Sequence, residues 1–84
     1  MDCPDELKFQ VVEALAAEFK KDYSVIDVDG ARVLFDGGWG LVRASNTQPV
    51  LVLRFEAGNE DRLQEIQRAF MERVQNAMDA ASPS

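Results

Sequence analysis

The chain has 84 residues, enough for one small domain with a modest core. Hydrophobic residues make up 46% and charged residues 29%, which excludes a disordered chain, and the net charge of −6 opposes binding to nucleic acid or anionic membrane through a general positive field. With no histidine and one cysteine, Cys3, an internal disulfide and a cysteine-built zinc site are also excluded.

The first predicted element is a helix over residues 4 to 21. Pro4 suits a helix start, and Asp5 and Glu6 stand where the helix dipole favours negative charge. Lys20 and Lys21 carry the sign that the other end prefers. Apolar residues recur every three or four positions and predict one buried face, formed by Leu7, Val11, Val12, Leu15, Ala16 and Phe19.

Four strands are predicted next, because the period changes and β-branched and aromatic residues become frequent. They are placed at residues 24 to 28, 31 to 35, 39 to 44 and 50 to 57. The turn signals between them are Asp29-Gly30, Gly37-Gly38 and the stretch from Asn46 to Pro49. Short connections between consecutive strands predict an antiparallel meander.

A second helix is predicted after Asn59, which can cap its free backbone donors. Glu60 and Asp61 lie in its first turn, and one apolar face contains Leu63, Ile66, Phe70, Val74 and Ala77. We predict that residues 79 to 84 form a frayed tail. The chain is therefore predicted to be one α+β domain over residues 1 to 84, a four-stranded antiparallel sheet flanked by two helices in the order α-β-β-β-β-α.

The third turn is the candidate site, because no acidic residue occurs from Gly37 to Phe55. Strand alternation places Arg43 on the same side as Ser45, and Arg54 follows on the next strand. Ser45, Asn46 and Thr47 add short donors, and a guanidinium can bond two phosphate oxygens at once. The alternative is a plain turn, because Ser, Asn, Thr and Pro form turns in any protein; the pattern alone favours it.

Other residues with chemical potential are predicted to have structural roles. Asp27, Asp29 and Asp36 can supply oxygen ligands, but hairpin turns explain all three, so no metal site is predicted. Cys3 near a helix start can be reactive, yet no histidine or other base accompanies it. Trp39 can stack on a sugar, but we predict that it covers the edge of the core.

The segment DGARVLFDGGWGLVRASNTQPVLVLRFEA, residues 29 to 57, closely resembles the C-terminal, fourth domain of bacterial phosphomannomutase/phosphoglucomutase enzymes, in the α-D-phosphohexomutase family. The similarity runs from the first helix through the second. Its sharpest part is Arg-Ala-Ser-Asn-Thr-x-Pro, residues 43 to 49, followed by an apolar strand that carries Arg54. Where other members commonly have glutamate before the proline, this chain has Gln48.

The resemblance implies an enzyme of four domains that interconverts hexose 1-phosphate and 6-phosphate. It implies a phosphoserine, a bisphosphorylated sugar intermediate and Mg²⁺ held by another domain. This domain would close the active site and bind the substrate phosphate, with Arg54 as a neighbour of the loop residues Arg43, Ser45, Asn46 and Thr47. The fold it implies is similar to that of TATA-box-binding protein, and such a similarity does not imply DNA binding.

The resemblance also implies what the chain lacks. The family's Thr-Ala-Ser-His-type phosphoserine motif and Asp-Gly-Asp-type metal loop belong to other domains, so we expect these 84 residues to be inactive and to hold no cofactor. We expect Met1 to follow an excised preceding part of the enzyme. The expected partners are mannose or glucose 1-phosphate, 6-phosphate and 1,6-bisphosphate and the other domains.

We further expect a monomeric, cytoplasmic protein without membrane or nucleic-acid partners. No stretch reaches the roughly 18 to 20 apolar residues of a membrane span, and the acidic start MDCPDELKFQ is unlike a signal peptide. Two alternatives remain open. One is a stand-alone protein-interaction module that uses the sheet face or edge, and the other is a nucleic-acid binder on a TATA-like sheet, against which the charge of −6 weighs.

Overall fold

The computed structural model describes residues 1–28 and 30–81. It has a single four-stranded sheet in those residues, with neighbouring strands antiparallel in the order β1-β2-β3-β4. The predicted α+β class and element order are confirmed. The elements are α1 (Asp5–Phe19), β1 (Ser24–Ile26), β2 (Ala31–Phe35), β3 (Gly38–Ala44), β4 (Leu51–Ala57) and α2 (Glu60–Ala81).

Both helices pack on one face of the sheet, and the core lies between the two layers. Phe19 of α1 and Phe70 of α2 stack with ring centroids 4.9 Å apart, while Phe70 and Phe55 of β4 meet in a T-shaped arrangement. The predicted apolar faces of both helices are confirmed. The fully buried core includes Val11, Leu15, Phe19, Val33, Val42, Ile66, Phe70 and Val74.

Gly40 in the middle of β3 allows α2 to approach the sheet closely. A Cβ added at Gly40 would lie 2.7 Å from Cδ2 of Phe70 and 3.2 Å from Cδ1 of Phe55. The start of α2 is capped as predicted, since Oδ1 of Asn59 accepts a hydrogen bond of 2.8 Å from the N–H of Arg62. Neither helix in the described ranges is long and apolar enough to cross a membrane.

The connection between β1 and β2 is longer than the predicted two-residue turn. β1 ends at Ile26; after it, the carboxylate of Asp27 pairs with Lys20 at the end of α1, and Val28 is 92% exposed. Asp29, half of the turn signal, lies outside the described residues. The next turn is tight: Phe35 pairs with Gly38, and Gly37 has a φ of 82°, which favours glycine.

The helix ends also differ from the predicted bounds. α1 ends at Phe19 with Lys20 as its C-cap, two residues before the predicted end. α2 continues to Ala81 and so includes residues 79–81 of the segment predicted as a tail; residues 82–84 lie outside the described part of the chain.

The prediction that Trp39 covers the edge of the core is wrong. Gly38, Gly40 and Val42 occupy the helix-facing positions of β3, so Trp39 lies on the opposite face, which we call the open face. There the guanidinium of Arg32 lies 4.6 Å from the centroid of the Trp39 ring. Successive side chains of a strand point to opposite faces, so Trp39, which stands between Gly38 and Gly40, lies on the face away from the helices.

Candidate functional site

The candidate loop, residues 45–50, joins β3 to β4 and is organised around the hydroxyl of Ser45. Its Oγ accepts hydrogen bonds from the N–H groups of Thr47, at 3.3 Å, and Gln48, at 3.2 Å. The N–H of Ser45 donates to the carbonyl of Val50 at 3.1 Å. Since Oγ accepts both bonds, its hydroxyl proton can donate to a group outside the loop.

The internal hydrogen bonds of the loop occupy two of its backbone donors. The N–H groups of Thr47 and Gln48 are directed at Ser45, so an incoming anion reaches them only by displacing Oγ. The side chains of Asn46 and Thr47 are exposed. The donors presented to solvent are therefore mainly side chains of the loop together with Arg43, which precedes it.

The N-terminal segment fastens the far end of the loop. Asp2 forms an isolated antiparallel bridge with Val50. The N–H of Cys3 donates to the carbonyl of Pro49 at 2.8 Å, and the N–H of Leu51 donates to the carbonyl of Met1 at 2.7 Å. Residues 1–3 thus act as a short extra strand that fixes the end of the loop nearest β4.

Lys8 is a residue of the site region that sequence reasoning missed. It is only 5% exposed, and its Nζ donates to the carbonyl of Gln48 at 3.0 Å while lying 2.8 Å from Oδ1 of Asp5. The signal was present, because position 8 stands three residues before Val11 on the apolar stripe of α1. A lysine in that stripe indicates a buried partner.

Arg43 lies at the border of two surface depressions. The first, of about 380 Å³, lies between α1 and the end of β3 and is lined by Arg43, Asn46 and Gly30 among others. It also contains Glu13 and Asp27, whose negative charges oppose an anion there. The hydrogen bond and positive charge of Lys20 lower the pKa of Asp27, which favours its charged form.

The second depression, of about 350 Å³, lies on the open face. Arg43 pairs with Val52 and Leu41 pairs with Arg54, so the two arginines share this face. Arg54 is level with Leu41 and lies farther from the loop than Arg43. Ser45 and Thr47 line neither depression. Asn46 lines the first, Arg54 lines the second, and Arg43 lines both.

Two other candidate residues, Cys3 and Asp36, are not among the donors that the loop presents to solvent. Cys3 is buried at 2% exposure, and this burial raises the pKa of its thiol, which keeps it protonated. The carbonyl of Asp36 accepts a hydrogen bond of 2.6 Å from Nε of Arg62. No group of three metal-binding side chains occurs within residues 1–28 and 30–81.

Comparisons of the sequence and the fold with known proteins identify the same family. A profile described as "Phosphoglucomutase/phosphomannomutase, C-terminal domain" matches residues 2–73. The phosphomannomutase/phosphoglucomutase of Pseudomonas aeruginosa is 44% identical over 80 residues, which cover 94% of this chain and 17% of that protein. The phosphoglucomutase of Neisseria meningitidis serogroup B is 51% identical over 63 residues, which cover 73% of this chain and 14% of that protein.

A solved structure agrees in fold. The crystal structure of a phosphoglucomutase/phosphomannomutase family protein from Burkholderia thailandensis superposes with a TM-score of 0.75 at 39% identity, over 89% of this chain and 17% of that one. The chain thus spans about a sixth of the length of the relatives that it matches. By profile, sequence and fold together, this chain belongs to the phosphoglucomutase/phosphomannomutase family, in which it corresponds to the C-terminal domain.

Proposed function

We propose that residues 43–48 bind the phosphate group of a hexose phosphate, as part of an enzyme that interconverts hexose 1-phosphate and 6-phosphate. The observation that carries the proposal is the fold of the loop around Ser45. With Oγ accepting two backbone N–H groups, the turn holds its shape without a ligand and directs short neutral donors outward.

The chemistry of these donors suits a phosphate. The guanidinium of Arg43 can bond two oxygens, while the Ser45 hydroxyl, the Asn46 amide and the Thr47 hydroxyl can occupy the others. One arginine with neutral donors also binds less tightly than a lysine cluster. Weak binding is useful here, because a bisphosphorylated intermediate must be released from the loop in order to turn round between two phosphoryl transfers.

In the whole enzyme, this domain would contribute binding energy remote from the reacting phosphoryl group. Closing over the sugar, it would help to exclude water and to hold the reacting atoms in position. The phosphoserine and the Mg²⁺ site would come from other domains. The 84 residues by themselves would then bind phosphosugar without turning it over.

The proposal is tested by titrating ¹⁵N-labelled protein with inorganic phosphate and with glucose 1-phosphate. We expect the largest amide shifts at residues 43–48. The dissociation constant should be millimolar, which corresponds to a binding free energy of about 4 kcal/mol. Arg43→Ala should abolish these shifts. Arg68→Ala is the matched control, because Arg68 is an exposed arginine on α2, on the far side of the sheet.

Two outcomes would contradict the assignment of the loop. Shifts centred on the helices would place the ligand elsewhere, and shifts at residues 43–48 that survive in Arg43→Ala would remove the arginine from the site. A mutase assay of the 84-residue chain on glucose 1-phosphate and mannose 1-phosphate should show no turnover.

A further inference from the structure

Lys8 of α1 is a buried cation that takes no part in the phosphate contacts proposed for the loop. Its side chain is 6% exposed, whereas the other cations in described ion pairs, Lys20, Arg62 and Arg73, are 50%, 34% and 27% exposed. An ammonium group in the apolar face of a helix costs desolvation energy, which a methionine of similar length would avoid. The charge at this position therefore needs a reason beyond packing.

Three groups surround the ammonium of Lys8. Its Nζ donates to the carbonyl of Gln48 at 3.0 Å, lies 2.8 Å from Oδ1 of Asp5 and is 5.3 Å from the centroid of the Phe9 ring. All three present negative charge density to the cation. Asp5 and Phe9 belong to α1 itself, so the bond to Gln48 is the contact that joins this charge to the loop.

The peptide group of Gln48 is held at both of its polar atoms. Its N–H donates to Oγ of Ser45 at 3.2 Å. Its carbonyl accepts one hydrogen bond from the N–H of Val50, at 2.8 Å, which closes a tight turn around Pro49, and a second from Lys8. Rotation of this peptide group therefore breaks three hydrogen bonds.

The direction of the Gln48 carbonyl matters for an anion, because a carbonyl oxygen carries partial negative charge and repels an anion that it faces. The bond from Lys8 commits this oxygen to α1. Without Lys8, the N–H of Val50 would be its one partner among the described residues. The loop would then sample orientations in which the carbonyl opposes a bound phosphate.

Lys8 also brings a positive charge to a loop that has none of its own, since residues 45–50 are all uncharged. Asp5 opposes this charge, but the two partners are unequal. The Asp5 side chain is 67% exposed, and solvent screens an exposed charge more than a buried one. Lys8 is the member of the pair that contacts the loop, so the pair leaves a positive potential there, which Asp5 reduces without cancelling.

We infer that Lys8 is a positioning residue for anion binding: it fixes the Gln48 peptide group and adds positive potential beneath the loop, and Asp5 limits that potential. The anion is the phosphate of the proposed function, on which this role of Lys8 rests. Removing the charge of Asp5 then strengthens phosphate binding, whereas the loss of a purely structural ion pair would loosen the loop and weaken binding. A limited potential also suits a ligand that must be released.

The role of Lys8 is tested by titrating the ¹⁵N-labelled chain with inorganic phosphate and following the amide signals of residues 43–48. Lys8→Met should raise the dissociation constant about tenfold, because a charged donor to the loop is lost. Without ligand, the amide hydrogens of Thr47 and Gln48 should exchange faster in this variant. Lys21→Met removes the same charge from an exposed position after the same helix and should change neither measurement.

Asp5→Asn tests the charge without threatening the fold, because the Asp5 side chain is exposed. It should lower the dissociation constant of phosphate about threefold, the size expected for one exposed charge, and leave the exchange of Thr47 and Gln48 unchanged. Asp61→Asn is the matched control. Asp61 carries the same charge in the first turn of α2, at the end of β4 opposite to the loop, and its replacement should not alter phosphate binding.

The possible failures can be told apart. Lys8 is not a positioning residue if Lys8→Met binds phosphate as tightly as the unaltered chain, or if Asp5→Asn leaves binding unchanged or weakens it. With Arg43→Ala still abolishing the shifts, the proposed function then stands without this role of Lys8. If the unaltered chain shows no shifts at residues 43–48 with phosphate or glucose 1-phosphate, the proposed function fails, and the effect of Lys8 on affinity fails with it.

Discussion

The Nζ atom of Lys8 on α1 lies 3.0 Å from the carbonyl oxygen of Gln48 in the candidate loop. This single bond joins the first helix to a turn 40 residues later. Lys8 is almost completely buried, so its methylene groups pack in the core while its ammonium group reaches the loop. The loop is therefore held by a hydrogen bond from α1 and, at the end nearest β4, by the backbone hydrogen bonds of residues 1–3.

Lys8→Met should retain most of the packing of the side chain and remove the donor to Gln48. Because a charged donor to a part-buried carbonyl is lost, we expect the free energy of unfolding to fall by about 1–2 kcal/mol. Urea denaturation measures this change. Lys21→Met, at an exposed position after the same helix, should leave stability within about 0.5 kcal/mol, and equal stability of the two variants would show that the Lys8 bond contributes nothing.

Ser45→Ala should loosen the loop without unfolding the domain. The N–H groups of Thr47 and Gln48 would lose their acceptor, so their amide hydrogens should exchange faster, while the global free energy of unfolding falls by about 1 kcal/mol or less. Thr47→Ala is the control, since its N–H still donates to Ser45. Unchanged exchange in Ser45→Ala would mean that the loop keeps its shape by other contacts.

Gly40→Ala and Gly58→Ala form a matched pair. At Gly40 the added methyl would meet the ring of Phe70 at 2.7 Å and that of Phe55 at 3.2 Å, so overpacking should cost about 1–3 kcal/mol. At Gly58 no atom lies within 4 Å of the added Cβ, and we expect a change of less than about 1 kcal/mol. A Gly40 variant as stable as the Gly58 variant in urea would contradict the close approach of α2.

The buried thiol of Cys3 should make the free energy of unfolding fall at alkaline pH. Burial raises the pKa of its thiol in the folded state above the ordinary value of 9.0, with Glu6 adding to the rise. The contribution of the neutral thiol is therefore complete below the pKa of the unfolded state and is lost as pH rises towards the folded pKa. Relative to Cys3→Ala, the free energy of unfolding of the unaltered chain should decrease as the pH rises above the unfolded-state pKa of about 8.5.

The same burial predicts slow chemistry at the thiol. A thiol reagent such as dithiobis-nitrobenzoate should modify native Cys3 far more slowly than the urea-unfolded chain, because the side chain is 2% exposed. Rapid modification in the native state would show that residues 1–3 detach from Val50 and Leu51, and it would also remove the support that this segment gives the loop.

The local sequence pattern was sufficient to predict the helices and strands and their order along the chain. The apolar positions of α1 and α2, the Asn59 cap and the strand periodicity each depend on residues close together in the chain, so a single sequence expresses them. The alternation placed Arg43 and Arg54 on neighbouring strands beside one turn, and the register of β3 and β4 shows that they share one face of the sheet. The motif of residues 43–49 also carried the family, which the comparisons confirmed.

Contacts between distant residues were decided only by the tertiary structure. The partner of Lys8 is 40 residues away, Arg32 joins Arg43 and Arg54 only through strand register, and Trp39 faces away from the helices because both of them pack on the other side of the sheet. Periodicity shows that a strand has two faces, but it does not show which face the helices cover. That choice depends on summed burial over the whole domain, to which Phe19, Phe70 and Val42 contribute together.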